Sequence, residues 1–408
     1  MPLRRPRWAC RGWPMHLSYV ALVNFRNYRH LEASLSPGIT VLWGPNAAGK
    51  TSFLEALVLL ATARSPRAGA ERELLNWEAR SEMGLPPFAR VVGRVERKDG
   101  PLTLEVAIQR LLDSQGQVTG RCQKRFSLNR RPVRAREAVG RLQVVLFEPE
   151  DLNLITGSPA RRRNYLDAVL LQADPRYWQA LERYRRVLLQ RNRLLQRWKE
   201  KGGLPPEARE QVAFWNREMV QNGAYLIVAR HRLVTALSPH LEALHGRLAG
   251  SPEPLRLTYR HHIPCRPEED EESVAYAFRQ AMARAWPEEV ERGMTLLGPH
   301  RDDLDFFLGE MDLAVYGSRG QQRTATIALK LAQVAWLEAQ SGESPVVLLD
   351  DVLSELDPER RGYLQGWLLE ARGQVLITAA DRQVFHPMVL ERSTVVRLTA
   401  GVWETGAP

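Results

Sequence analysis

Long apolar runs are missing from this chain of 408 residues. The longest, 53–63, is interrupted by Glu55 and falls well short of the roughly 20 residues that a membrane-spanning helix needs. That shortfall excludes a lipid-facing bundle, and a mean hydropathy of −0.34 agrees with it. Cysteine is scarce as well. Cys10, Cys122 and Cys265 are odd in number, lie far apart and match no zinc or redox spacing. A disulfide scaffold is therefore excluded, and a reducing, cytoplasmic setting is expected. Lysine occurs only at 50, 98, 124, 199, 201 and 330, so arginine carries nearly all the positive charge. No repeat of fixed period and no sustained heptad pattern is found, which excludes a solenoid and a long coiled coil. Residues 1–14 contain Arg4, Arg5, Arg7 and Arg11 but no acid and no apolar run of the kind a secretory signal requires. They read as a disordered basic tail or as a non-native start ahead of Met15.

What is present is an ordinary globular composition, 44% hydrophobic and 25% charged, long enough for at least two hydrophobic units. The formal charge of +10 favours a polyanionic partner, nucleic acid before anionic membrane. Residues 121–137 hold seven Lys or Arg against Glu137 alone, and residues 161–201 hold twelve against four acids. A genome-wide preference for arginine codons would produce the same bias with no phosphate to bind.

From residue 15 to about 110 the pattern predicts strands at 20–25, 39–43, 89–95 and 102–108, with one helix beginning near Lys50. Another strand is predicted at 141–148. Beyond Pro149 the period changes to 3.6, predicting helices over 160–171, 175–200, 207–247 and 271–284. From about Gly298 strands and helices alternate again: 304–308, 320–339, 346–349, 359–371 and 375–378. That alternation belongs to an α/β fold.

Gly44-Pro45-Asn46-Ala47-Ala48-Gly49-Lys50-Thr51 fills every fixed place of G-x-x-x-x-G-K-[ST]. A predicted strand precedes it and a helix follows, as a phosphate-binding loop requires. Glycine permits the backbone to turn its amides inward, and the helix start presents its positive end to the anion. Lys50 would then reach the β- and γ-phosphates, and Thr51 would ligate magnesium. Val346-Val347-Leu348-Leu349-Asp350-Asp351 reads as a buried strand ending in two carboxylates. Asp350 would hold the metal and Asp351 would polarise a water; capping of the next helix is the plainer alternative. Ser318-Arg319-Gly320-Gln321-Gln322 stands where a helix begins, so its exposed amides suit a γ-phosphate delivered by a second copy.

A phosphate loop, an S-x-G-Q signature and an acidic strand followed by Ser354-Glu355-Leu356-Asp357 are together similar to an ABC-type ATPase head. Gly44 and Asp350 stand near opposite ends of the chain, so the head is split, which resembles the structural-maintenance-of-chromosomes group rather than a transporter cassette. The insert is too short and too broken for a long coiled-coil arm. Within that group the chain resembles the RecF family over about 15–395. The segments that carry the likeness are Asn24-Phe25-Arg26-Asn27-Tyr28, the phosphate loop, Phe147-Glu148-Pro149-Glu150-Asp151-Leu152, Gly157-Ser158-Pro159 with Arg161-Arg162-Arg163, Gly298-Pro299-His300-Arg301-Asp302-Asp303-Leu304, and 318–323.

The resemblance implies an α/β ABC-type P-loop ATPase head of mixed sheets flanked by helices, at 15–152 and 294–408, split by a mostly helical second lobe at 153–293. It implies ATP and Mg2+ as cofactors, a weak DNA-stimulated ATPase and an ATP-dependent homodimer. The implied partners are double-stranded and gapped DNA and the mediator proteins RecO and RecR, with no membrane. Carried over by motif, Gly44, Pro45, Asn46, Ala47, Ala48, Gly49, Lys50, Thr51 and Ser52 would bind nucleotide in one copy, with Arg26 on a phosphate. Ser318, Gly320 and Gln321 would cover the γ-phosphate from the other. Lys50, Asp350 and Asp351 would be catalytic, and Thr51 with Asp350 would hold the metal.

Two departures bear on the chemistry. Asp351 stands where most ABC ATPases carry the longer Glu, so slow turnover is expected. The strand at 375–378 ends in Ala379-Ala380-Asp381 without a switch histidine, leaving His300 and His386 as the nearby candidates by sequence. Glu148 and Glu150 would couple head to insert, or else form a solvated turn. Arg161, Arg162, Arg163, Arg186 and Arg191 are the candidate DNA contacts; a solvated helix face accounts for them equally. Trp178, Trp198 and Trp215 suit a core better than base stacking. Two other readings remain: a clamp in which ATP is only dimer glue, and a transporter ATPase subunit.

Overall fold

A computed structural model describes residues 15–81, 86–250, 253–266, 268, 270–399 and 401–405. The tail expected at 1–14 lies outside them. The chain divides into two compact units, Met1–Asp151 with Gln333–Pro408, and Leu152–Ala332. Among the described residues no helix is long and apolar enough to cross a membrane.

The first unit begins with β1 (His16–Phe25), β2 (Tyr28–Ser34), β3 (Ile39–Trp43) and α1 (Lys50–Thr62). It continues through β4 (Phe88–Glu96), β5 (Leu102–Leu112), β6 (Val118–Leu128), β7 (Arg131–Val133), the single turn α2 (Ala135–Ala138) and β8 (Val144–Phe147). The second unit holds α3 (Pro159–Ala173), α4 (Pro175–Glu200), α5 (Ala208–Ala249), β9 (Leu255–Arg260), α6 (Glu271–Arg292), β10 (Asp303–Leu308) and β11 (Met311–Asp312). Helix α7 (Arg319–Ser341) leads back to the first unit, which ends with β12 (Val346–Asp350), α8 (Pro358–Glu370), β13 (Val375–Ala379), α9 (Pro387–Glu391), β14 (Ser393–Thr399) and β15 (Val402–Thr405).

Two six-stranded sheets build the first unit. One is antiparallel, in the order β2-β1-β4-β5-β6-β7; the other runs β15-β14-β3-β13-β12-β8, with only β15 antiparallel. Strands β12 and β13 are buried at every position, as parallel strands covered on both faces must be. Helix α1 packs on strands of both sheets. Accordingly Phe53, Leu54, Ala56, Leu57, Leu59 and Leu60 are all buried, with no polar face left over. Because β3, β13 and β12 are parallel, the phosphate loop and the Asp350 pair emerge at the same edge of the sheet, beyond the strand carboxyl ends.

The basic segment 121–137 is largely a hairpin, β6 pairing with β5 and β7 with β6, and it runs on into α2. Its alternation is faint in the sequence because Phe126 is the one buried residue of β6. In the second unit, β9 interrupts the helices, alternating buried Leu255, Leu257 and Tyr259 with exposed Arg256, Thr258 and Arg260. Strand β10 pairs with β9, and this holds residues beyond 293 in the second unit as far as Ala332. Helix α6 runs past the expected end at 284, through Pro287, to a left-handed cap at Gly293. Its last turn is anchored by buried Glu289, whose carboxylate accepts from Arg191 Nη2 at 2.5 Å and the Leu296 amide at 2.8 Å. Trp198 lies in the core of this unit, edge-on to Trp286; Trp178 and Trp215 are half-buried.

Candidate nucleotide-binding site

The loop after β3 folds as its glycines demand. Gly44 has φ +155°, and a Cβ there would strike the Leu398 carbonyl oxygen; Gly49 has φ +108°, and a Cβ would meet Tyr28 Oη and Asn27 Nδ2 at 2.7 Å. Tyr28 Oη also donates to the Gly49 carbonyl at 2.9 Å, so the β1–β2 turn braces the loop from behind. Lys50 is the first residue of α1, and its Nζ donates back across the loop to the carbonyls of Gly44 at 2.7 Å and Pro45 at 2.9 Å. Burial pushes the Lys50 ammonium below its usual range, while Asp351 and Asp350 oppose that shift. An ammonium folded over a glycine-rich loop at a helix start is a fitting receptor for a polyphosphate.

Thr51 and Asp350, 299 residues apart in sequence, are joined by a hydrogen bond of 3.0 Å from the Thr51 hydroxyl. Asp350 is buried at the end of β12 and accepts also from Thr378 Oγ1 at 2.8 Å and Arg67 Nη2 at 2.9 Å. Among the described residues no group of three or more His, Cys, Asp or Glu could hold a metal. A hydroxyl and a single carboxylate do suit magnesium, which keeps most of its coordination for phosphate oxygens and water. Asp351 takes a left-handed backbone, φ 52°, uncommon for a residue with a side chain. Its amide donates to Thr378 Oγ1 at 3.0 Å, and its Oδ1 accepts from Ser354 Oγ at 2.6 Å.

Arg67 and Thr378 escaped the sequence reading. Arg67 bonds Glu148 at 2.9 Å as well as Asp350, with Glu150 at 3.8 Å, so the Phe147–Glu150 turn is tied to the acidic strand. No local spacing signals that contact. Arg26 pairs with the buried carboxylate of Glu55 at 2.7 and 2.8 Å and donates to the Glu73 carbonyl at 2.8 Å. The guanidinium assigned to a phosphate thus fastens the β1–β2 turn to α1.

In the second unit Ser318 and Gln321 form a reciprocal cap at the start of α7: the Gln321 amide donates to Ser318 Oγ at 3.2 Å and the Ser318 amide to Gln321 Oε1 at 2.9 Å. Ser318 is exposed, and Gly320 and Gln321 are half-exposed. No acid stands in the first turn of α7. His300 Nδ1 bonds Tyr184 Oη at 2.7 Å, and burial lowers its pKa to about 4, so it is neutral near pH 7. His386 caps α9. Both histidines have structural duties.

Two of the five proposed DNA contacts need correction. Arg191 is fully buried, bonded to Glu289, Asn216 and Thr295, and Arg162 is buried in a bidentate pair with Asp303 at 2.7 and 2.8 Å. Removing such guanidiniums from their carboxylates would leave uncompensated buried charge, so neither is offered to a polyanion. Arg163 is half-buried and donates to the Asp302 carbonyl at 2.8 Å. Arg161 and Arg186 are exposed.

Fold and site together define an ABC-type ATPase head of the kind found in structural-maintenance-of-chromosomes proteins. A family profile described as "RecF/RecN/SMC N terminal domain" matches residues 16–402. The chain is 43% identical over 387 residues to the DNA replication and repair protein RecF of Chloroflexus aggregans (strain MD-66 / DSM 9485), covering 95% of this chain and 99% of that one. It is equally 43% identical, over 389 residues, to RecF of Roseiflexus castenholzii (strain DSM 13941 / HLO8), covering 95% and 99%. A solved structure of the recombination mediator protein RecF-ATP in the RecFOR pathway superposes with a TM-score of 0.83 at 27% identity, covering 98% of this chain and all of that one. The chain belongs to the RecF family.

Proposed function

We propose that this protein is an ATP-controlled clamp for double-stranded DNA and gap junctions, acting in the cytoplasm in recombinational repair and replication. Two copies close on ATP, and slow hydrolysis releases them. The observation that carries the reading is the convergence of the Lys50 loop, Thr51 and Asp350 at one sheet edge, joined by the 3.0 Å Thr51–Asp350 bond. Lys50 and the loop amides hold the triphosphate; Ser318, Gly320 and Gln321 of a second copy cover its γ-phosphate. Thr51 and Asp350 would hold magnesium, which when bound neutralises charge on the phosphate oxygens. Asp351 orients the attacking water, and its short side chain, one oxygen of which accepts from Ser354, makes turnover slow. RecO and RecR are the proposed partners, because the solved relative is described within the RecFOR pathway.

A second reading, ATP as dimer glue with incidental hydrolysis, is favoured by that same engagement of Asp351. Sedimentation and ATP turnover, with and without duplex DNA, test both. Wild type should dimerise with ATP and turn over faster on DNA, and Lys50→Met should do neither. Asp351→Asn should dimerise yet lose at least about 100-fold in turnover, the usual scale for a general base. Recombinase loading that persists unchanged in Asp351→Asn would decide for the glue; a wild type that stays monomeric would sink the clamp.

A further inference from the structure

We infer that the groove between α5 and α6 is the seat of an acidic amphipathic helix from a partner protein. The groove has a volume of about 920 Å³. Its lining comes from α5 and α6, within the second unit, so the inference stands apart from the ATP reading.

One face of each helix forms a wall. Along α5 the lining recurs every three to four residues from Arg209 to Gln221, and along α6 from Glu272 to Trp286. The two helices run antiparallel here: a Cβ on Gly223 would strike the Phe278 ring, while Val212 and Trp286 share one cluster. From Arg209 to Gln221 the wall is about 18 Å long, just over three helical turns. Val212, Val220 and Met282 close the floor, and Trp286 stands half-buried at one end. Ala213, Ala275 and Ala283 keep the walls low, where longer side chains would fill the space. The unbranched Met282 can repack to fit what lies on it.

Charge selects the occupant. Arg209, Arg217 and Arg279 are exposed in this lining, and among the described residues none of them is paired with a carboxylate. Of the two acids in the lining, Glu271 is already held by Arg176 at 2.7 Å, which leaves Glu272 alone against three cations. The Arg217 guanidinium lies 5.9 Å from the centroid of the exposed Phe214 ring, and that of Arg279 lies 6.0 Å from the exposed Tyr276 ring. These rings extend the apolar surface at the margins. Duplex DNA would meet the arginines and leave the apolar floor wet, and a second copy would bring its own charge of +10. A helix with leucine or phenylalanine on one face and carboxylates along its flanks matches both the floor and the cations.

The test is fluorescence anisotropy of the full chain with a labelled helical peptide of about four turns, Leu and Phe on one face and Glu on its flanks. It should bind at least about tenfold more tightly than the same peptide with Lys for every Glu. Arg209→Glu/Arg217→Glu/Arg279→Glu should weaken it by at least about tenfold, with melting temperature and ATP affinity at wild-type values. Ala283→Trp, which fills the groove and leaves the charge alone, should weaken it to a similar degree. Equal affinity for the two peptides, or undiminished binding by both variants, overturns the inference. So would an oligothymidylate that displaces the peptide and is itself lost in the triple variant, or a nucleotide-free self-association that Ala283→Trp abolishes.

Discussion

His300 makes protonation a stability variable in the second unit. Burial, opposed by the Thr295 backbone and assisted by Arg301, lowers its pKa from 6.5 to about 4. The folded state therefore prefers the neutral ring. Its contribution is complete above about pH 6.5 and is lost as the unfolded chain takes up a proton between pH 6.5 and 4, a total of about 3 kcal/mol. Melting of wild type and His300→Gln should differ most near pH 7 and converge toward pH 4; a constant gap would refute the assignment. Asp303 falls in a lower window, because burial raises its pKa but Arg162 outweighs that and holds it below its usual range. Single residues also show where sequence reading stops. The loop from Gly44 to Thr51 was legible because its chemistry is contiguous. Arg67 on Asp350 was not, since a contact across 283 positions leaves no trace in local spacing. Arg162 and Arg191 looked like surface charge for the same reason: their carboxylates lie 141 and 98 residues away.

Among elements, α3, α4 and α5 were legible to within two residues at each end, because proline, aspartate and glycine punctuate them and their apolar period is 3.6. Strands β6, β7 and β9 were harder. A half-exposed hairpin needs few apolar residues, and six residues of alternation in the stretch between two helices are a weak signal. The joint between β3 and α1 is the most demanding element. Gly49→Ala would place a methyl against Tyr28 and Asn27 at φ +108°, at a cost of about 1–3 kcal/mol in strain. Calorimetry should show a lower melting temperature and at least about tenfold weaker ATP binding, the latter because the amides would no longer converge. Unchanged affinity would mean that the loop does not depend on this glycine.

For the whole molecule, the correction of Arg162 and Arg191 changes what the net charge of +10 can do. Arg161 and Arg186 are the exposed candidates in the helical unit, and if they meet DNA, each phosphate they neutralise should add about 0.9 to the log-log salt dependence of duplex binding. Arg161→Gln/Arg186→Gln should reduce that slope by about two contacts' worth. An unchanged slope would move the DNA surface elsewhere, and the exposed arginines of the β6–β7 arm would be next to test.

The buried pairs Arg162–Asp303, Arg191–Glu289 and Arg230–Asp167 also bear on heat. Ions leave water less reluctantly as temperature rises, so pairs that contribute little in the cold gain worth in a warm cell. Replacing Arg191 and Glu289 together by leucines should be neutral or better near room temperature and inferior close to melting. Amide exchange along α4 and α6, followed up a temperature ramp, would show whether the two curves cross.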